Sequence, residues 1–244
     1  MSLFRDQGVV LRTYRLGEAD RIVVLLTQQH GKVRAVAKGV RRTKSKFGAR
    51  LEPLSHVALQ LWQGRSELDV VDQAEVIDSF RPVREDLHRM AIGLSLLEVA
   101  DHLAQERHTD RALYEMVVGA LRTLADLQRD PTLLAPAFFL KALALEGAGP
   151  VLDACASCGE PDGEIDLVAF DLLEGGALCR RCRRGRPMSS DALALMRQIL
   201  GGSLGSVLRG PPPAGALEVT ELATEAMEAH LDRRLRSVRS VAGL

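Results

Sequence analysis

The hydrophobic pattern changes period along the chain, and the changes mark out its parts. Over residues 1–80 the apolar residues fall in short, β-branched runs: Gly8-Val-Val-Leu-Arg-Thr-Tyr14, Arg21-Ile-Val-Val-Leu-Leu-Thr27, Lys32-Val-Arg-Ala-Val-Ala-Lys38, Leu54 to Trp62 and Leu68 to Val76. Gly17-Glu-Ala-Asp20, His30-Gly31 and a turn centred on Gly64 separate several of them, as turn residues between strands do. In the third run Val33, Ala35 and Ala37 share one face, and Lys32, Arg34, Val36 and Lys38 share the other. Five short strands predict a small barrel or sandwich. The widest gap, Gly39 to Pro53, has no strand pattern, and a connection of that length in a compact domain is usually functional or disordered.

From Pro82 the period becomes helical. Proline fits a first helical turn, where its missing N–H is not needed. Leu87, Met90/Ala91, Leu94 and Leu97 form one stripe. Leu113, Met116/Val117, Ala120/Leu121 and Leu124 form a second, with Asp110 as a candidate N-cap. Leu134, Phe138 and Leu145 form a third, stopped by Gly147-Ala-Gly-Pro150. Residues 151–187 lose the period. It returns in Leu195, Met196, Ile199 and Leu200 behind Ser189-Ser190-Asp191. After Pro211-Pro-Pro213 it returns again in Val219, Leu222/Ala223, Ala226/Met227 and Leu231. Arg233, Arg234, Arg236 and Arg239 follow, where cations complement a helix C-terminus.

Charge changes this picture in two places. The chain has 244 residues and a formal net charge of zero, yet the charge is segregated. The stretch 31–50 holds Lys32, Arg34, Lys38, Arg41, Arg42, Lys44, Lys46 and Arg50 and no acidic residue. Such a cluster repels itself unless solvent or a polyanion screens it. A solvated loop and a nucleic-acid site are the two readings, and phosphate backbones make the second the favoured one. Lys32, Arg34 and Lys38 on one strand face, beside a long connector carrying the other five, suggest a rigid cationic surface next to a mobile one. Aromatic residues make up only 4%. Phe47 and Tyr14 are candidates for stacking on a base, whereas Trp62 suits the core. Few stacking groups and many cations predict backbone binding with weak sequence preference.

The second place is 151–187. Cys155-Ala-Ser-Cys158 and Cys179-Arg-Arg-Cys182 hold all four cysteines of the chain. Two thiolates three residues apart grip one metal from a single turn, and two such turns complete a tetrahedron. Disulfides and two independent thiol pairs are the alternatives. Four cysteines leave no open position, so a bound Zn2+ would be structural, and it would supply much of the folding energy of so short a segment. Residues 151–178 carry seven carboxylates and no Lys or Arg; Arg180, Arg181, Arg183, Arg184 and Arg186 follow at once. These arginines suit phosphate contact and carboxylate pairing equally.

Enzyme signals are poor. Gly201-Gly-Ser-Leu-Gly205 has a nucleophile-elbow spacing but follows a helix, not a strand. The six histidines show no metal spacing, and there is no Walker loop or dinucleotide fingerprint. No apolar run is long enough to span a membrane. The N-terminus has no signal-like apolar region, so a cytoplasmic protein without a small-molecule substrate is expected.

The strand Gly8-Val-Val-Leu-Arg-Thr, the run Gly17-Glu-Ala-Asp-Arg-Ile-Val-Val-Leu-Leu-Thr27, then Gly31-Lys32, Ala37-Lys-Gly-Val-Arg-Arg42 and Leu51-Glu-Pro-Leu54 resemble the RecO family of bacterial recombination mediators. The resemblance continues through the helical part and the cysteines. It implies an α+β chain: an N-terminal OB-fold, a five-stranded β-barrel, at 1–80; a helical-bundle domain at 81–150 and 188–244; and an inserted four-cysteine zinc knuckle at 151–187. It implies binding of single- and double-stranded DNA, annealing of complementary strands, and work with RecR to load RecA on strands coated by single-strand-binding protein, without enzyme turnover. The family's basic face falls on Arg34, Lys38, Arg41, Arg42, Lys44, Lys46 and Arg50, with Lys32 beside them, and its knuckle on Cys155, Cys158, Cys179 and Cys182. A zinc-ribbon RNA-binding or ribosome-associated module is the rival reading.

Overall fold

A computed structural model describes residues 2–64 and 67–237. It divides into two compact units, one running to Asp126 and including Ser237, the other Leu127–Arg236.

In the first unit five strands close a barrel: β1 Leu3–Leu16, β2 Asp20–Thr27, β3 Gly31–Ala37, β4 His56–Trp62 and β5 Asp69–Asp78, in the order β1-β2-β3-β5-β4. Strands β3 and β5 are parallel at Ala35–Asp69 and Val36–Val70, and the other neighbouring pairs are antiparallel. This is the five-stranded barrel of an OB-fold. Strict alternation along β3 buries Val33, Ala35 and Ala37 and turns Lys32, Arg34 and Val36 outward. The same alternation in β4 buries Val57, Leu59 and Leu61. It leaves Trp62 on the outside, 39% exposed, so the core position expected for that residue is wrong by one step of the pleat. Gly31 closes the β2–β3 turn at φ 64, and a Cβ there would lie 1.9 Å from the His108 carbonyl oxygen, so only glycine fits.

Helices α1 Arg81–Glu85, α2 Leu87–Leu103 and α3 Arg111–Ala125 complete this unit, with α2 and α3 packed on β1. Asp86 and Asp110 cap α2 and α3 by accepting from the amides of Arg89 and Leu113. The stripe read for α3 is buried as expected, at Leu113, Val117, Leu121 and Leu124. The one read for α2 is not. Leu87 is 56% and Leu94 38% exposed, while Ile92, Leu96 and Val99 are buried. That helix packs against α1, α3 and β1 together, so most of its surface is covered and no single stripe defines its core face.

The second unit contains α4 Leu134–Leu145, α5 Ser190–Leu200, α6 Leu204–Val207 and α7 Ala216–His230. Helices α4, α5 and α7 pack on one another. A small sheet lies between α4 and α5 in sequence, with β6 Leu167–Asp171 between β7 Gly176–Cys179 and β8 Arg186–Pro187. Ser189 caps α5 through the Ala192 amide. Helix α7 ends at His230, so Arg233, Arg234 and Arg236 lie beyond it rather than in its last turn; Arg239 lies outside the described residues. The Gly201–Gly205 motif begins at the C-cap of α5, where it cannot form a strand-to-helix elbow. Among the described residues no helix is long and apolar enough to cross a membrane.

Candidate nucleic-acid interface and metal centre

The eight cations of 31–50 separate by what holds them. Lys32 and Arg34 project from β3 into an acidic setting. The Lys32 ammonium donates to the Asp101 carbonyl at 2.7 Å and lies 3.6 Å from the Asp101 carboxylate. Arg34 lies 3.7 Å from Glu106 and 3.9 Å from Glu67. The segment after α2 is bound to the same strand: the Lys32 amide donates to the Gln105 carbonyl at 3.1 Å and the Arg107 amide to the Lys32 carbonyl at 3.1 Å. Charge on this strand is therefore largely neutralised within the unit, unlike the open cationic face expected from alternation. Lys38 is one residue past the end of β3 and is exposed.

The connector from Gly39 is a succession of turns rather than a free loop. Arg42 donates its amide to Gly39, Ser45 to Arg42, Arg50 to Phe47, Glu52 to Ala49 and Ser55 to Glu52. Phe47 and Leu51, 1% and 2% exposed, sit inside the barrel core with Val10, Leu25 and Leu61. Phe47 is therefore unavailable to a base. The start of the connector is tied to the β1–β2 turn: the Gly39 amide donates to Asp20 at 2.7 Å, and Arg41 donates its amide to Ala19 and its guanidinium to Glu18 at 2.9 Å. Lys46 donates to the Asp72 carbonyl at 2.6 Å, and Arg50 to the Lys46 carbonyl. Arg41 and Arg50 stay exposed while bound to backbone oxygens, so their charge is oriented but not cancelled, whereas exposed Lys46 also lies 4.0 Å from the Asp72 carboxylate. Lys38, Arg42 and Lys44 are exposed and have no acidic partner among the described residues.

On the same outer surface Tyr14 is a stacking candidate from sequence, but the sequence does not single out its neighbour Arg12. β1 shifts register between Val10 and Arg12, a bulge that re-aims the strand. Beyond it Arg12 and Tyr14 face outward, and the Arg12 guanidinium lies 5.0 Å from the Tyr14 ring centroid. Arg12 Nε is fixed by Asp101 at 2.7 Å. The period of the sequence does not show the bulge, so it gave no signal.

In the second unit the four cysteine sulfurs lie within 4.8 Å of one another, and Cys158 and Cys179 Sγ are 4.0 Å apart. Sulfurs about 2.3 Å from a common ion stand about 3.8 Å apart in a tetrahedron, so the cluster fits a four-thiolate metal site. The first pair sits on a turn that Gly159 closes at φ 77 by donating its amide to Cys155 at 2.8 Å. The second begins at the end of β7, where the Cys179 amide approaches Cys155 Sγ at 3.5 Å. Burial works against a charge on Cys155, but the amides of Cys179, Cys158 and Ser157 outweigh it and lower that thiol to about 6. Burial and then the neighbouring thiols push Cys182 up to about 12. Four adjacent thiols cannot all ionise together without a cation to balance them.

The knuckle arginines resolve in favour of carboxylates. Arg180 pairs with Asp166 at 3.2 Å, Arg181 with Glu160 at 2.6 Å, Arg184 with Glu174, and Arg186 with Glu221 and Glu225 at 2.6 Å each. Arg183 has no such partner among the described residues.

Two family models match the chain: Recombination protein O N terminal over residues 1–80, and Recombination protein O C terminal over residues 84–239. The first match covers the barrel with its cationic connector and the second covers the helices with the cysteine cluster. Together they show that the chain belongs to the RecO family of DNA-binding recombination mediators, proteins of DNA repair.

Proposed function

We propose that this protein binds single- and double-stranded DNA through Lys38, Arg42 and Lys44, supported by Arg41, Lys46 and Arg50, and anneals complementary strands without enzymatic turnover. With RecR, it would help to load RecA on strands coated by single-strand-binding protein, in the cytoplasm and associated with the nucleoid. The observation that carries this reading is that Lys38, Arg42 and Lys44 are exposed and have no acidic partner among the described residues, on or beside a backbone anchored in the barrel by Phe47 and Leu51. Annealing brings two polyanions together, and a fixed cationic surface lowers their repulsion by releasing counterions without reading sequence. Lys32 and Arg34 contribute less, because Asp101, Glu106 and Glu67 already hold them.

The same reading makes the four cysteines a structural Zn2+ site. Cys155, Cys158, Cys179 and Cys182 would hold the ion, and it would supply a fixed cross-link between the first turn and the end of β7.

Arg42→Glu with Lys44→Glu removes no side-chain hydrogen bond or ion pair among the described residues, so the pair tests binding separately from folding. In a filter-binding titration, affinity for single-stranded DNA should fall, and the slope of log K against log salt should flatten by about 1.4 for two lost phosphate contacts. Unchanged affinity and slope would rule the connector out.

A further inference from the structure

The outer surface of β1, β2 and β3 carries an ordered arrangement of side chains that phosphate binding does not use. Register places Arg12 opposite Val24, and Val24 opposite Arg34. One step along, Tyr14 lies opposite Ile22, and Ile22 opposite Val36. A row of cation, valine, cation therefore adjoins a row of tyrosine, isoleucine, valine. Neighbouring strands are about 4.8 Å apart, so the apolar row is about 10 Å across, close to the width of a flat aromatic base with its sugar. A cavity of about 440 Å3 opens over Arg12, Tyr14, Ile22 and Arg34, with Val24, Lys32 and Glu106 also in its wall. Tyr14 is 42% exposed although it is a large aromatic on a strand. Its neighbour Arg12 is held against the ring by Asp101, a carboxylate only 5% exposed. At the other end of the apolar row the chain runs into Lys38 and the connector, which is pinned to the β1–β2 turn through Asp20 and Ala19.

We infer that Tyr14, with Ile22 and Val36 beside it, is a stacking platform for one unpaired base of a DNA strand, and that Lys38 at the far end of the row holds the flanking backbone. This rests on the proposed DNA binding and adds to it a way of distinguishing single strands. A base in a duplex is already stacked and paired, so its face is not available to Tyr14. An unpaired base offers its face whatever its identity. The platform selects single strands without selecting sequence, as a protein that brings strands together for pairing requires.

The test compares three DNA probes of equal length at one salt concentration: a single strand, a single strand of abasic sites, and a duplex. Wild-type protein should bind the base-bearing single strand about tenfold more tightly than the abasic one. Tyr14→Ala should remove that difference while leaving abasic and duplex affinities, and the salt slope, as they are. Tyr14→Phe should keep it, since the ring and not the hydroxyl stacks. Equal wild-type affinity for base-bearing and abasic strands would overturn the inference while leaving backbone binding in place. So would an equal loss for all three probes in Tyr14→Ala. Failure of wild type to bind any of them at low salt would remove the proposed function and this inference with it. Melting temperature of the variants, expected unchanged because Tyr14 is exposed, separates unfolding from lost stacking.

Discussion

At the scale of single residues, the barrel and the helix packed on it meet at a buried polar pair. His56 Nε2 lies 2.7 Å from the Tyr114 hydroxyl, and both residues are nearly inaccessible. Burial, aided by Arg122 and opposed by Asp78, lowers the His56 pKa below its ordinary 6.5. Burial first, then the charge of Asp6, pushes Tyr114 up to about 12. At neutral pH the tyrosine is therefore protonated and donates to a neutral imidazole. The linkage sign follows: below 6.5 the unfolded chain takes up a proton at His56 that the folded chain resists. Stability from this pair is full above 6.5 and declines as pH falls through the lowered folded value. Urea midpoints measured between pH 8 and pH 5 should show that decline in wild type and a shallower one in His56→Gln; an equal decline would assign it to other groups. Which cations of 31–50 are free was not legible at this scale. Sequence places Lys32 and Arg34 outward correctly, but their neutralisation by Asp101 and Glu106 joins residues some seventy positions apart, and no local pattern encodes it.

At the scale of elements, the connector between β3 and β4 differs most from expectation. Its missing period suggested mobility. The structure gives it two anchors, Phe47 and Leu51, inside the barrel, and isolated apolar residues in a polar stretch are easily passed over because they have no periodic neighbours. Phe47→Ala should cost about 3–5 kcal/mol by chemical denaturation, the price of emptying a large core position. It should also loosen the connector backbone enough for trypsin to cleave after Lys44 and Lys46 while the barrel is otherwise folded. Near-neutral stability would mean that Phe47 does not fill the core. The strands were legible because alternation survives in β3 and β4, and Trp62 was misplaced where one step of that alternation was missed. Helix α2 was legible as a helix but not in its facing, since neighbours cover it on several sides. The β1 bulge, which turns Arg12 and Tyr14 outward, arises from pairing with β2 and leaves no mark on β1 alone.

At the scale of the molecule, the two units hold their charges differently. In the second, the acidic run and the arginine run that follows it largely consume each other through Arg180–Asp166, Arg181–Glu160 and Arg184–Glu174, so a segment rich in arginine offers little free charge. Arg197 ties the same region to α5 through Asp162 at 2.7 Å. The spacing of the four cysteines made their convergence readable from sequence, because two Cys-x-x-Cys turns have few other uses in one short segment. Exposed pairs of this kind contribute little, so the metal should carry the knuckle. Removing zinc with a chelator should release one equivalent per chain and lower the melting temperature of the second unit by many degrees. Release of zinc with unchanged circular dichroism and melting would show that it does not hold the fold.

The connector as the annealing surface is tested most directly by the rate at which complementary strands pair across a salt titration, with and without single-strand-binding protein. Three proteins suffice: wild type, Lys38→Glu/Arg42→Glu/Lys44→Glu, and Arg180→Glu/Arg181→Glu. The expected result is that connector reversal abolishes most annealing and most of its salt dependence, while knuckle reversal leaves both near wild type. Full annealing by the connector variant, or its loss only in the knuckle variant, would contradict the assignment.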